Sequence, residues 1–212
     1  KINHLSAVLA TCSDVALGAL GGGIKRNELL SARLGDIHSE LLIACSILKY
    51  RDAQQQSEAN DAHALYALQR SLNNAQKALL DFCENFPQRW LGIMLRMLCL
   101  PLGRRYKAPD DKQIRLLGKL IMEPNPVREA LKQYVFISND PEDAVGRVET
   151  TYQMLLEIDT SWQAFSRARR KGKLGDASTS LDSALEEAVR QGIIPEADVI
   201  LLKEYNQRRY DC

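Results

Sequence analysis

No charge of one sign dominates this sequence. Its 28 lysines and arginines stand against 27 aspartates and glutamates, a net charge of +1. That balance gives no global attraction to nucleic acid or to acidic substrates, and no nucleic-acid partner is expected. Aromatics make up 6% of the chain, and the 12 glycines and 7 prolines fall mostly between periodic segments, as in helices joined by short turns. Five cysteines are present, Cys12, Cys45, Cys83, Cys99 and Cys212, with no Cys-x-x-Cys pair. The odd number and the apolar helical surroundings of three of them read as reduced core thiols of a cytosolic protein, not a disulfide frame. The longest apolar run, Leu91 to Leu102, contains Arg96 and is too short to cross a bilayer. No alternating run is long enough for a strand, and no repeat has a fixed period. The first residue is Lys1, no signal-peptide pattern follows, and helical spacing is already under way at Leu5, Leu9 and Cys12. The chain is therefore expected to be a piece of a longer protein.

What is present is helical periodicity. With 212 residues, 45% of them hydrophobic, one ordinary domain or two small ones can bury a core. Leu30, Leu34, Ile37, Leu41, Ala44 and Leu48 form one heptad-like seam. Leu65, Leu68, Leu72, Ala75, Leu79, Phe82 and Phe86 form a second. The polar loop RDAQQQSEAND between them is too short to let the helices part, which predicts an antiparallel hairpin. An apolar helix opens with Pro87 at its first position and runs to Leu100. Further helices open at Pro109-Asp110-Asp111, at Asn125-Pro126 and at Asp140-Pro141, by the rules of capping and of proline in the first turn. The helix after Asp140 reaches Leu156, and a further segment carries Trp162 and Phe165. Gly192 and Pro195 punctuate a last helical hairpin. The expected fold class is all-α: an antiparallel bundle built on the long hairpin over 1–166, a basic and polar linker over 167–179, and a smaller C-terminal hairpin over 180–212.

Four constellations bear on function. Gly21-Gly22-Gly23 before Lys25-Arg26 reads as a flexible break between helices; the alternative is an anion contact made by Gly22, Gly23, Lys25 and Arg26 with a phosphate or a partner's carboxylate. The spacing is neither GxGxxG nor a Walker A loop. Arg33, Asp36 and Glu40 read as ion pairing beside the seam, with acid–base work as the sharper alternative. His4, His38 and His63 do not form a metal set, and HExxH is absent. The segment RWLGIMLRMLCLPLGRRYK, Arg89 to Lys107, sets apolar bulk between Trp and cations. It reads either as a core helix with snorkelling ends or as an interfacial helix contacting membrane or partner through Trp90, Leu91, Met94, Leu98, Arg104, Arg105 and Lys107. Exposure of Leu91, Met94, Leu98 and Leu100 decides between these. The cations Arg167, Arg169, Arg170, Lys171 and Lys173 read as a solvated loop, with attraction to anionic lipid as the alternative.

LGGGIKRNELLSARLGDIHSELLIACSILKYRD, Leu20 to Asp52, resembles the start of the C-terminal extension of the long bacterial acyl-CoA dehydrogenases of fatty-acid degradation. NFPQRWLGIMLRMLCLPLGRRYKAPDDK, the Pro124-Asn125-Pro126-Val127-Arg128 piece and LDSALEEAVRQGIIPEAD resemble the same family in the same order, so the likeness covers nearly the whole chain. The resemblance implies a parent that oxidises an acyl-CoA to the trans-2-enoyl-CoA and passes electrons through FAD to an electron-transfer flavoprotein. It also implies that FAD and the catalytic glutamate lie upstream. No segment here matches the catalytic motif, so no catalytic residue is carried over, and neither Glu28 nor Glu40 is assigned that role. The expectation is a domain that binds no cofactor or metal by itself. Its partners would be the upstream flavin core, a second subunit, or the inner face of the cytoplasmic membrane, placing it in the cytoplasm or peripherally on that membrane. A scaffold module docking on another protein through the hairpin seam is the rival.

Overall fold

The computed structural model describes residues 1–54, 56–101, 103–138, 140, 143–175 and 180–211. Among them the regular structure is entirely helical, so the all-α expectation holds. The chain divides into two compact units, Lys1–Gln133 and Tyr134–Cys212. The division expected from the sequence lay elsewhere, at 166/167 and 179/180. Residues 176–179 of the expected linker lie outside the described residues.

The first unit holds α1 (Ile2–Leu20), a 3₁₀ segment (Gly21–Arg26), α2 (Glu28–Ala53), α3 (Glu58–Glu84), α4 (Arg89–Cys99), α5 (Asp111–Met122) and α6 (Pro126–Lys132). The two long helices α2 and α3 form the predicted hairpin. Ser57 caps α3 by accepting from Asn60 N–H at 3.1 Å, and Arg51 bridges to Asp61 at 2.8 Å. Leu30, Ile37 and Leu41 of α2 meet a core shared with Leu72, Ala75, Leu79 and Phe82 of α3. The seam does not persist to the loop end: Leu48 and Leu65 are exposed. There the hairpin turns a different face, with Ile47, Tyr50 and Ala64, toward α5 and α6.

Buried Leu5, Val8, Cys12 and Ala16 set one stripe of α1 into the same core. The stretch Ile2–Arg26 is nevertheless long and apolar enough, by length and composition, to cross a membrane. Its alanines and glycines hide this from a search for large apolar residues. Cys12, Cys83 and Cys99 are buried and free, whereas Cys45 is exposed. A hydrogen bond with Cys99, then burial, pushes the Cys12 thiol up. Burial, then the neighbouring Cys99, pushes Cys83 up to about 12.

In the second unit α7 (Ala144–Arg170), α8 (Leu181–Arg190) and α9 (Val199–Asp211) share a core of Ile158, Phe165, Leu185, Ala188 and Leu202. The two segments expected on either side of Leu156 are one helix, α7. It is capped by Asp143, whose carboxylate accepts from Gly146 N–H at 2.8 Å, where the sequence pointed to Asp140. Arg167, Arg169 and Arg170 belong to its last turn, favourable against the helix dipole, and not to a loop. Gly192 stands at φ +67 just past α8, as expected of a C′ glycine.

Candidate functional site

The site is built on α4 and the segment that follows it. Pro87 precedes the N-cap Gln88, so it ends the preceding turn and does not open the helix. α4 lies hard against the end of α3, and glycine permits this. A Cβ on Gly92 would stand 2.1 Å from the Cys83 carbonyl oxygen, a distance no other residue tolerates. Arg89 donates to the Glu84 carbonyl at 2.8 Å, and Arg96 pairs with the Glu84 carboxylate at 3.3 Å. The face so fixed buries Gly92, Leu95 and Cys99.

The opposite face carries Trp90, Ile93, Met94, Met97 and Leu98, 43–69% exposed. Their spacing of 3, 1, 3 and 1 is a single helical stripe. Five large apolar side chains on one short helix form an exposed patch of the kind that marks an interaction surface. Of the residues chosen to discriminate core from interface, Met94 and Leu98 are exposed, Leu91 is half-buried and Leu100 is buried. The helix therefore does both: one stripe is core and the other is open. Sequence reasoning found Trp90, Met94 and Leu98 but missed Ile93 and Met97, and it included Leu91, which packs on the core. The usable signal was Gly92, since the smallest residue marks the side pressed against a neighbouring backbone.

The segment after α4 is pinned by two α3 amides. The Gln76 side chain is buried at 1% exposure. Its Oε1 accepts from the backbone N–H of Arg105 at 2.6 Å and of Tyr106 at 2.9 Å. Its Nε2 donates to the Tyr106 carbonyl at 3.1 Å, which also accepts from Asn73 Nδ2 at 2.7 Å. Tyr106 is thereby drawn into the core, its hydroxyl 3.2 Å from His4 Nδ1. Burial, moderated by the Arg105 charge, raises its pKa. Arg104, Arg105 and Lys107 remain exposed, so the apolar stripe is followed by three cations on a fixed backbone.

The other predicted constellations resolve differently. Gly22 and Lys25-Arg26 lie exposed in a 3₁₀ segment and Gly23 is half-buried there. The Gly23 carbonyl accepts from Asn27 Nδ2 at 2.9 Å, so the glycines form a tight ordered connection where a flexible break was expected. Glu40 is held by α3: its carboxylate accepts from Ser71 Oγ and from Asn74 Nδ2 at 3.0 Å. It clamps the hairpin instead of pairing along its own helix. Among the described residues no three His, Cys, Asp or Glu side chains gather as metal ligands. In the second unit Arg169, Arg170 and Arg209 surround a space of about 460 Å³ beside Trp162, with the Arg209 guanidinium 5.0 Å from the indole centroid.

No solved structure matches the chain. The family model described as "Acyl-CoA dehydrogenase, C-terminal, bacterial type" matches residues 1–212. This chain belongs to the family of bacterial-type acyl-CoA dehydrogenase C-terminal domains.

Proposed function

We propose that the domain serves an FAD-dependent acyl-CoA dehydrogenase of fatty-acid β-oxidation as its membrane-contact module, with α4 and the cations after it as the contact. The observation that carries this reading is the exposed stripe Trp90, Ile93, Met94, Met97 and Leu98, followed by Arg104, Arg105 and Lys107 on a pinned backbone. An interfacial helix needs an apolar face for the acyl boundary and Trp and cations at headgroup level. Each cation near an anionic leaflet contributes about 1 kcal/mol. The anionic inner face of the cytoplasmic membrane supplies that surface, and the protein works in the cytoplasm or peripherally on this membrane. Chemistry belongs to the parent's upstream flavin core. A dinucleotide such as FAD asks for cations and backbone N–H groups at its pyrophosphate. The groove of about 540 Å³ beside α2 and α3 is instead walled mainly by Leu, Ile, Val and Ala side chains, which does not suit it.

The scaffold reading has less support, because Ile37, Leu41, Leu72, Leu79 and Phe82 of the hairpin seam are spent on the unit's own core. Subunit packing through the α4 stripe is the second reading, favoured by the same exposure. The test is co-sedimentation of the intact enzyme with anionic liposomes, native against Trp90→Ala, Arg104→Ala, Arg105→Ala combined. Loss of co-sedimentation in the variant supports the membrane reading. Unchanged sedimentation rejects this surface, and a variant that falls from dimer to monomer instead assigns the stripe to subunit packing.

A further inference from the structure

We infer that the arginine-lined space between the C-terminal turns of α7 and α9 binds a phosphomonoester, a group with three terminal oxygens on one phosphorus. The site lies within the second unit and does not rest on the proposed membrane role of α4. The whole chain has a net charge of +1, yet residues 162–175 hold five cations and no acid. Residues 204–211 add Arg208 and Arg209 against Glu204 and Asp211. Packing of α7 on α9 brings these two stretches together. Trp162 meets the Tyr205 ring edge-on at 5.1 Å, and Arg169, Arg170, Asn206 and Arg209 border one space of about 460 Å³. No aspartate or glutamate is among the described residues that wall it.

Cations near two helix C-terminal ends are expected from the dipoles alone, but the dipoles leave two features unexplained. The acids nearby are spent on other cations: Arg208 pairs with Glu204 at 2.9 Å and Arg190 with Glu187 at 2.8 Å. Among the described residues Arg170 and Arg209 have no carboxylate partner. Both are nevertheless held in place. The Arg209 guanidinium lies 5.0 Å from the Trp162 ring centroid and 4.7 Å from that of Tyr210, and its Nη2 donates to Tyr210 Oη at 2.8 Å. Arg170 Nε donates to the Ser166 carbonyl at 3.3 Å. Each of these bonds uses one of five guanidinium N–H groups, which leaves four on each side chain for a ligand in the space they share.

The number of donors sets the chemistry. Guanidinium forks grip oxyanions through two parallel hydrogen bonds. A carboxylate or a phosphodiester has two free oxygens, and one fork occupies both. A phosphomonoester has three, with a charge of about −1.5 to −2 at neutral pH, so Arg170 and Arg209 can hold it together. The space, within the usual size range of ligand sites, admits the carrier of the phosphate as well, against Trp162 and Phe165. That carrier is a soluble ester or a phospholipid, and the experiment separates the two.

Isothermal titration of the full chain with glycerol 3-phosphate should show saturable one-site binding, which succinate at equal ionic strength should not. Arg209→Lys keeps the charge but loses the fork, and should bind roughly tenfold more weakly, the value of one charge-assisted hydrogen bond. Arg170→Ala combined with Arg209→Ala should abolish binding; both side chains are exposed, so far-UV circular dichroism should not change. In a Trp90→Phe background, Trp162 emission should follow the same titration. Vesicles containing phosphatidic acid present the same group on a lipid surface. A Trp162 response to these vesicles that glycerol 3-phosphate displaces assigns the site to a lipid headgroup, and a response to the soluble ester alone assigns it to a soluble phosphate ester. Absence of saturable glycerol 3-phosphate binding, equal binding of succinate, or binding that survives the double alanine variant would each overturn the inference.

Discussion

Replacing Gln76 tests how the cationic segment is held. Gln76→Met keeps the unbranched shape and removes three hydrogen bonds, two from Arg105 and Tyr106 N–H to Oε1 and one from Nε2 to the Tyr106 carbonyl. At a net value of about 1 kcal/mol each the loss is about 3 kcal/mol. The more apolar thioether, fully buried at this position, returns about 1 kcal/mol. The net cost is about 2 kcal/mol. For a urea slope of about 2 kcal/mol per molar, the unfolding midpoint of the first unit should fall by about 1 M. The two units must be read separately, and the two tryptophans allow this: Trp90 lies in the first unit and Trp162 in the second. Far-UV circular dichroism and Trp90 emission in a Trp162→Phe background should show the shift, while Trp162 emission in a Trp90→Phe background should not move. A midpoint within about 0.3 M of the parent chain would refute the reasoning that this amide organises residues 105 and 106.

Gly92→Ala should lower the stability of the first unit by about 1–3 kcal/mol and expose Leu95 and Cys99, read by urea denaturation, since its Cβ would collide with the Cys83 carbonyl. In a Cys212→Ser background, Ellman's reagent should modify Cys45 at once. Cys12, Cys83 and Cys99, all buried and the first two also raised in pKa, should react only on denaturation; fast loss of a second thiol in the native protein would contradict the placement of α1 and α4. Asp110→Ala removes the N-cap of α5 and its reciprocal bond with Gln113, so amide exchange in Asp111–Met122 should speed up by an amount matching about 1 kcal/mol.

Much of the fold was legible because large side chains at heptad spacing can form a core on only one side. Ile37, Leu41, Leu72, Leu79 and Phe82 were correctly read as buried, and the caps at Asp110 and Asn125 were visible as acid or amide before the first turn. The errors have physical sources. The helix was read as ending at Leu156, but α7 continues, its buried face stepping on through Ile158, Ser161, Phe165 and Ala168, with the polar Ser161 interrupting the apolar stripe. Ser161 meets Asp198 by a hydrogen bond that no local pattern announces. Leu48 and Leu65 broke the seam because α5 and α6, distant in sequence, offer the hairpin's loop end a different partner face. For the candidate site, the apolar and cationic ingredients were legible. Which stripe of α4 faces outward was signalled only by Gly92, whose close contact with α3 the sequence does not display. The amide latch at Gln76 was also invisible, since a buried glutamine on a seam helix gives no sign of pairing with a loop 29 residues away.

The central claim is that the exposed stripe of α4 enters an anionic lipid interface. The most direct measurement is Trp90 emission in the Trp162→Phe chain, titrated with anionic and with zwitterionic vesicles. The account predicts a blue shift with anionic vesicles that weakens as salt is raised, is smaller with zwitterionic ones, and is reduced by Arg104→Ala with Arg105→Ala. An emission maximum that stays where it is through the whole anionic titration would contradict it.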